Sequence, residues 1–467
     1  MKHHPVYAPV MRSRRRWAIR VTITASVAGA VVALPAVAWA HGIGGRSDLP
    51  VPLHFFLFGA AAVLLLSFGA LAVLWPEPRL QDGPRYRGEG WTIPRWITAA
   101  LGAAGVAALL VVAGAGLFGD AEARTNIAPV SIWVVFWLVL PFLAAAVGNV
   151  WAVVNPWATL GRWLRLDGGP AGPGAAGVWP AGVAFVAFTW LELVFPDSAD
   201  PRMLGLATVA YSAYLLAWMY VVGVERTVSS ADAFSVYHRA ISAIAPLGRD
   251  DRGRLRRRGW LRALTVLPEW RGLVFFVVAM IGTVSYDGLS ATAWWDDWTF
   301  DLLGRDQSAE WFGTISLLGS VGVIGAGYLG ASWWASRIAG GQPGPLAVAR
   351  SFAHTLVPIA LAYAVAHYVT LIAFEGQQIV RALSDPFGLG WNLFGTADFK
   401  ENFTWLSPTA VWWIQVVAIV GGHVAGVVLA HDRALAIFPR DRAVRTQYAM
   451  LGLMVALTGL GLAILAA

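Results

Sequence analysis

The sequence contains no cysteine and almost no lysine. The absence of thiols excludes disulfides, iron–sulfur clusters, thiolate metal sites and thiol catalysis, so any metal must be held by histidine, carboxylate or backbone groups. Lysine occurs only at Lys2 and Lys400, and the formal net charge of +7 therefore comes almost entirely from arginine. Because the arginines fall in particular loops, we interpret them as a membrane-orientation signal and not as a nucleic-acid surface.

Charged residues are scarce, at 13% of 467 residues, whereas 57% of the residues are hydrophobic. The apolar residues form blocks long enough to cross a bilayer, which takes about 20 residues of helix. The sequence therefore predicts an all-α, polytopic transmembrane helical bundle whose main partner is the lipid bilayer. It has no glycine-rich phosphate loop followed by lysine and no nucleic-acid motif, so we expect neither a nucleotide-driven pump nor a nucleic-acid partner.

The amino terminus has the layout of a cleaved secretory signal. An arginine-rich stretch, "MRSRRRWAIR", precedes an apolar segment over residues 21–37, and Ala38 and Ala40 form an A-x-A end. We expect residues 1–40 to be removed, which would make His41 the new amino terminus.

About ten spans are predicted after the signal peptide. They cover residues 53–75, 96–118, 131–154, 178–195, 203–224, 272–286, 311–338, 351–374, 409–430 and 444–466. Loops on one side carry arginines, such as the run over 249–258, and loops on the other carry acidic residues, such as Asp296 and Asp297. Because cytoplasmic loops are the basic ones, both mature termini are predicted outside a multi-pass plasma-membrane protein. Residues 41–224 hold the first five spans and 272–467 the last five.

The loop between these halves, residues 225–271, is predicted to be cytoplasmic and basic. Phe234, Tyr237, Ile241 and Ile244 recur at helical spacing, which indicates an amphipathic helix. Since arginines follow, we expect this helix to lie on the inner membrane surface.

Ionisable residues inside spans are costly and each needs a reason. Those of this chain are Glu192, His354, His367 and His423, with Asn149 as a polar companion. His354 and His367 are 13 residues apart, about 20 Å on a helix, so they cannot share one metal ion. We expect His354 and His423 to form an inner polar pair near Asn149, either structural or serving a proton path, a metal or a haem. For Glu192, burial with a hydrogen-bond partner and a functional role remain equally open.

The residues predicted near the outer surface suggest a metal centre. A free His41 offers its α-amine and its imidazole, and His54 and His367 would complete a nitrogen-rich site for copper or zinc. Glu375 or Asp287 would act as an oxygen ligand or as the catalytic general base. The alternative is that His54 and His367 are interfacial residues bonded to carbonyls or water.

Long segments resemble an actinobacterial family of membrane proteins identified as fenitrothion hydrolases. They include "AHGIGGRSDLPVP", "VFWLVLPFLAAAVGNVWAVVNPW", "WLELVFPDSADPR", "GTVSYDGLS", "FAHTLVPIALAYAVAHY" and "GGHVAGVVLAHDRALAIFPR". The resemblance spans most of the chain after residue 40 and implies hydrolysis of an organophosphate triester.

Three functions follow from these observations. The first is a metal-dependent hydrolase that acts on a small hydrophobic ester at the outer face. The second is a transporter or metal-handling permease with five-plus-five helix halves, in which Pro141 and Pro358 interrupt corresponding spans. The third is an electron-transfer protein with bis-histidine haem, for which the 13-residue spacing is poorly suited because it turns the two imidazoles apart.

Overall fold

The computed structural model describes residues 49–168, 176–304 and 310–467. The predicted signal peptide and His41 lie outside the described residues.

Helices account for most of the described chain. In chain order they are α1 (Leu53–Leu74), α2 (Arg95–Phe118), α3 (Ile127–Val147), α4 (Trp151–Val154), α5 (Pro156–Trp163), α6 (Trp179–Leu193), α7 (Pro201–Val222), α8 (Val224–Ser230), α9 (Ala233–Ser242), α10 (Leu273–Ser290), α11 (Ala293–Leu303), α12 (Glu310–Ala339), α13 (Pro345–Ala373), α14 (Gln378–Ser384), α15 (Pro408–Ile437) and α16 (Arg445–Ala466). Short 3₁₀ turns lie at Leu264–Val266 and Glu375–Gln377.

Nine of the described helices are long and apolar enough to cross a bilayer, namely α1, α2, α3, α7, α10, α12, α13, α15 and α16. The shorter apolar helix α6, with 15 residues, occupies the predicted fourth span. Each of the ten predicted spans therefore coincides with an apolar helix, as expected for a multi-pass membrane protein. The number that cross the bilayer stays a prediction.

A small antiparallel sheet departs from the all-α prediction. Its strands are β1 (Tyr86–Trp91), β2 (Leu247–Arg249) and β3 (Leu255–Arg258), in the order β1-β3-β2. Asp250 forms ion pairs with Arg254 at 3.0 Å and Arg256 at 3.7 Å in the β2–β3 turn. The sheet joins two loops predicted to lie inside, so part of the basic run is folded against the protein.

The chain re-enters the bundle after α7. Gly223, with φ +87°, reverses the chain into α8, and the next break comes at Asp232. There the hydroxyl of Tyr211 donates to Asp232 at 3.0 Å. Tyr211 is the eleventh residue of the 22-residue helix α7, so α8 has returned to the middle of that helix before α9 leads back.

A second hairpin, formed by α4 and α5, meets the first. Its break at Asn155 lies beside the middle of α2, because a β-carbon at Gly105 would fall 2.0 Å from the carbonyl oxygen of Val154. Asn155 caps α5 and Asp232 caps α9 by accepting backbone N–H bonds. The two caps are joined where the Asn155 amide donates to Asp232 at 2.9 Å. The polar groups at each break thus find hydrogen-bond partners at the other break, inside the protein.

The predicted amphipathic helix exists as α9, but its predicted position on the membrane surface is wrong. Phe234, Tyr237 and Ile241 are buried, and so are Ser235 and His238 of the polar face. The helix packs against α3, α6 and α13. Several polar atoms of this helix bond within the protein, for example Nδ1 of His238 to the carbonyl of Phe234, whereas the buried Nε2 atom of His238 has no partner among the described residues.

Two prolines change the helix type inside long helices. Pro141 has no N–H for the carbonyl of Trp137, four residues before it, and residues Val130–Val139 form a π-helical segment of α3. Pro358 likewise has no N–H for the carbonyl of His354, which instead accepts from Val357 in a 3₁₀ turn at Ala353–Leu356. Both irregular segments sit inside helices that the sequence predicts as spans three and eight.

The inner end of α15 anchors the first predicted inner loop. Asp432, fully buried, accepts from the Trp75 indole at 3.0 Å, the Gln81 amide at 2.7 Å and the backbone N–H of Leu80 at 3.1 Å. His431 is also buried and bonds to the carbonyl of Trp75. This end of α15 is therefore a packed anchor, although His431, Asp432 and Arg433 are polar residues that could also have faced water.

Substitution of Gly105 tests the hairpin at Asn155. Gly105→Ala should destabilise the protein by about 1–3 kcal/mol, because the new methyl group would clash with the backbone carbonyl of Val154, which cannot rotate away as a side chain can. Gly114→Ala on the same helix is the control, since its nearest neighbour is the Phe387 ring at 3.6 Å, and it should be neutral or slightly stabilising. Thermal unfolding in detergent measures both, and equal effects would contradict the close approach.

Substitution of Asp432 tests the inner anchor. Asp432→Ala leaves several buried donors without an acceptor and should cost at least about 3 kcal/mol of unfolding free energy. Glu77→Ala removes an exposed ion pair with Arg440 and should cost less than about 1 kcal/mol. A loss at Asp432 no larger than that at Glu77 in the same unfolding measurement would show that the anchor is weak.

Candidate functional site

Asp287 near the end of α10 joins two neighbouring side chains of α13. The Nε2 atom of His367 lies 2.9 Å from its Oδ2 atom, and the hydroxyl of Tyr368 donates to the same oxygen at 2.7 Å. Tyr368 is buried, whereas His367 and Asp287 keep 22% and 19% of their side-chain surface exposed. The three residues form a polar group with access from one side, which we call the Asp287 cluster.

Glu192 brings a second carboxyl group to the Asp287 cluster from α6. It lies within electrostatic range of Asp287 and of Tyr368. Its Oε2 atom is buried and makes no hydrogen bond of good geometry among the described residues, although the indole nitrogen of Trp137, itself without such a bond, is close enough to interact with the Glu192 carboxyl. A polar atom buried without a partner is costly, so this position invites a proton or a small polar ligand.

The cluster lies at the carboxyl-terminal ends of three helices that the loop charges predict to run outward. Glu192 is the second-last residue of α6, Asp287 is in the last turn of α10, and His367 is within the last two turns of α13. Helix carboxyl termini carry partial negative charge. Neither carboxyl group has an ion pair with arginine or lysine in the part of the chain that the structure describes. The site therefore attracts cations and protons.

The predicted outer metal site is not assembled within the described residues. His54 packs its ring against Phe55 and Phe58 in the first turns of α1. Glu375 accepts from the side chain of Gln378. Within residues 49–168, 176–304 and 310–467, no group of three or more histidine, aspartate or glutamate side chains could hold a metal ion. Since His41 lies outside these ranges, the metal centre stays a prediction.

His354 and His423, the predicted inner pair, do not bond to each other. The Nδ1 atom of His423 bonds to the carbonyl of Ile419 at 2.8 Å, and the buried Nε2 atoms of His423 and His354 have no partner in the described chain. The helix register separates them, because Gly422 packs on Pro358 and so places His423 one turn or more beyond His354. Asn149, just before α4, accepts from the backbone N–H of Ala152 at 3.1 Å, which is a local contact.

Sequence reasoning missed three polar residues that organise the bundle. Tyr368 directly follows His367, but nothing in the sequence distinguishes it from other tyrosines in spans. Asn155 and Asp232 carry a signal that was available, because each is a good N-cap residue and Asn155 precedes a proline. Their contact could not be foreseen, since 77 residues separate them.

Comparison of this chain with family models, with curated proteins and with solved structures finds no match. The hydrolase family named from sequence resemblance is therefore an expectation, and the residues themselves must carry the functional argument.

Metal analysis of the purified protein, with amino-terminal sequencing, tests the predicted metal site. If cleavage exposes His41, we expect about one copper or zinc ion per chain. His54→Ala and His367→Ala should each release the metal, whereas Asp297→Asn on the exposed face of α11 should retain it. An intact leader, or metal content unchanged in both histidine variants, would exclude the site.

Proposed function

We propose that the protein is a proton-coupled membrane permease and that the carboxyl pair Glu192 and Asp287 is its coupling site. The observation that carries this proposal is the Asp287 carboxylate, held by His367 and Tyr368 beside a second carboxyl group, within apolar helices. Ionisable groups at membrane depth are rare and mark ion pathways and proton relays.

A proton on Asp287 would change the contacts between helices. The ionised carboxylate only accepts hydrogen bonds, and it holds two side chains of α13 to α10. Protonation removes the charge and weakens the charge-assisted bond with His367. The link between α10 and α13 then loosens, which is the kind of change that alternating access needs.

Buried side chains of α9 connect the surroundings of Glu192 with the re-entrant hairpins. Tyr237 lies within electrostatic range of Glu192, and its ring centroid is 5.4 Å from that of Trp137. The next residue, His238, is buried and stacks on Trp151, and Trp151 in turn donates to Ser235 beside Asp232. Side chains of α9 thus link the surroundings of Glu192 to the re-entrant hairpins through ring contacts and one hydrogen bond.

The backbone gives independent support. Helices interrupted at membrane depth, as at Asn155, Asp232 and the two prolines, are typical of transporters, where breaks line binding sites. The two halves correspond only in part. The contact between α2 and α7 in the first half has a counterpart in the contact between α12 and α16 in the second. However, α10 packs along α12, whereas its counterpart α1 packs on α15 and α16 of the other half. The five-plus-five arrangement therefore remains a prediction.

A metal-dependent ester hydrolase remains the second candidate. Asp287 orients His367 in the way that a carboxylate orients a histidine base, and this is the observation that favours it. The metal measurement above decides whether the remaining ligands exist.

Proton flux into liposomes tests the permease proposal. Purified protein is reconstituted with a pH-sensitive dye inside, and a potassium diffusion potential drives proton entry. We expect wild-type flux above that of protein-free liposomes, and Asp287→Asn and Glu192→Gln to reduce it by about 10²-fold, the scale of a positioned proton-transfer group.

The control for this experiment is Asp297→Asn, an exposed carboxyl on α11 that should leave the flux unchanged. Melting temperatures of all variants separate a loss of coupling from a loss of fold. Wild-type flux equal to that of empty liposomes, or full flux in Asp287→Asn, would refute the proposal.

A further inference from the structure

A large cavity opens beside the re-entrant hairpins. Its volume is about 930 Å³, and it lies between α2, the π-helical segment of α3, α6 and α7. Aromatic side chains form its inner end, among them Trp151, Trp157, Tyr211 and Phe234. The volume falls at the upper end of the range for small-molecule sites, roughly 300–1,000 Å³.

The cavity wall carries no charge. None of its lining residues is aspartate, glutamate, lysine, arginine or histidine. Three of its four hydroxyls, all but that of Ser131, are engaged elsewhere: Tyr211 donates to Asp232, Tyr214 to the carbonyl of Ala231, and Thr208 to the carbonyl of Leu204. A charged or strongly polar ligand would lose its hydration here without compensation, so the wall selects an uncharged, apolar molecule.

The entrance faces the side where lipid is expected. Leu101 on α2 and Val183 on α6 line the cavity and are 40% and 62% exposed, and Ala210 on α7 is an exposed lining residue as well. Small residues, such as Ala104 and Ala184, keep the space between these helices open. An apolar molecule dissolved in the bilayer therefore reaches the cavity sideways, without crossing water.

Two helices, α3 and α6, border both the cavity and the Asp287 cluster. Phe136 and Leu191 line the cavity, whereas the next residues along the chain, Trp137 and Glu192, stand at the cluster. Asp232 contacts the inner end of the cavity through Tyr211. A molecule in the cavity therefore contacts α6, the helix that carries Glu192, and Tyr211, which bonds to Asp232.

We propose that this cavity binds an uncharged lipophilic molecule taken from the bilayer, and that this molecule is the substrate. The second part rests on the proposed permease function. A free lipophile is favoured over the tail of a phospholipid, because the lining offers no cationic group to hold a phosphate at the entrance.

Photolabelling tests the binding site without any ion gradient. Liposomes containing the protein receive a long-chain fatty alcohol with a diazirine in its chain, and labelled peptides are identified after illumination. We expect saturable labelling on α2, α3, α6 and α7 that excess unlabelled alcohol removes. Labelling spread evenly over all lipid-exposed helices would overturn the proposal.

Two variants test whether the labelling depends on the space inside the cavity. Ala184→Phe fills the cavity and should lower labelling of its walls to the level found on α12, whereas Ala326→Phe on the exposed face of α12 should change nothing. Mass spectrometry of the purified protein in detergent gives a second readout. A retained phospholipid in place of a free lipophile would overturn the choice of ligand.

The two proposals fail separately. Saturable labelling with no proton flux in the wild-type protein would support the binding site and refute the permease function. Proton flux that depends on Asp287, without saturable labelling, would support the permease function and refute the proposal of a lipophilic substrate.

Discussion

The hydrogen bond from Asn155 to Asp232 is the contact on which the centre of the bundle depends. Two hairpins break there, beside Gly105 of α2 and Tyr211 of α7, where water is expected to be absent. Backbone groups exposed by such breaks must find partners within the protein. Because each residue caps its own helix and also bonds the other, the two breaks are stable only together.

This contact also explains how the cavity and the Asp287 cluster come to be neighbours. With Asp232 fixed, α9 descends between α3, α6 and α13 and fills the space that an ordinary span would occupy. Phe234 then forms part of the cavity end, and Tyr237 packs on Trp137 beside Glu192. A short helix that cannot cross a bilayer thus connects both functional regions.

The positions of the helices along the chain can be predicted from the sequence, but the contacts between them cannot. Long apolar runs identify spans because hydropathy is local, and the pairing of Asp287 with His367 follows from their similar predicted depth. Helix α9 was placed on the membrane surface because its amphipathic pattern does not reveal whether protein or lipid covers it. His354 and His423 do not bond to each other for a related reason, since predicted depth alone leaves the helix register uncertain by about one turn.

The missing N–H of Pro141 affects the arrangement of the site. In an α-helix the carbonyl of Trp137 would accept from residue 141, but Pro141 has no N–H. The N–H of Leu140 bonds instead to the carbonyl of Val135, five residues back, so the segment widens to the π form. Trp137 faces the buried carboxyl of Glu192 from this widened turn, while its neighbour Phe136 lines the cavity. A helix that returned to regular α geometry would rotate both side chains, so the proline holds the cavity wall and the cluster in one arrangement.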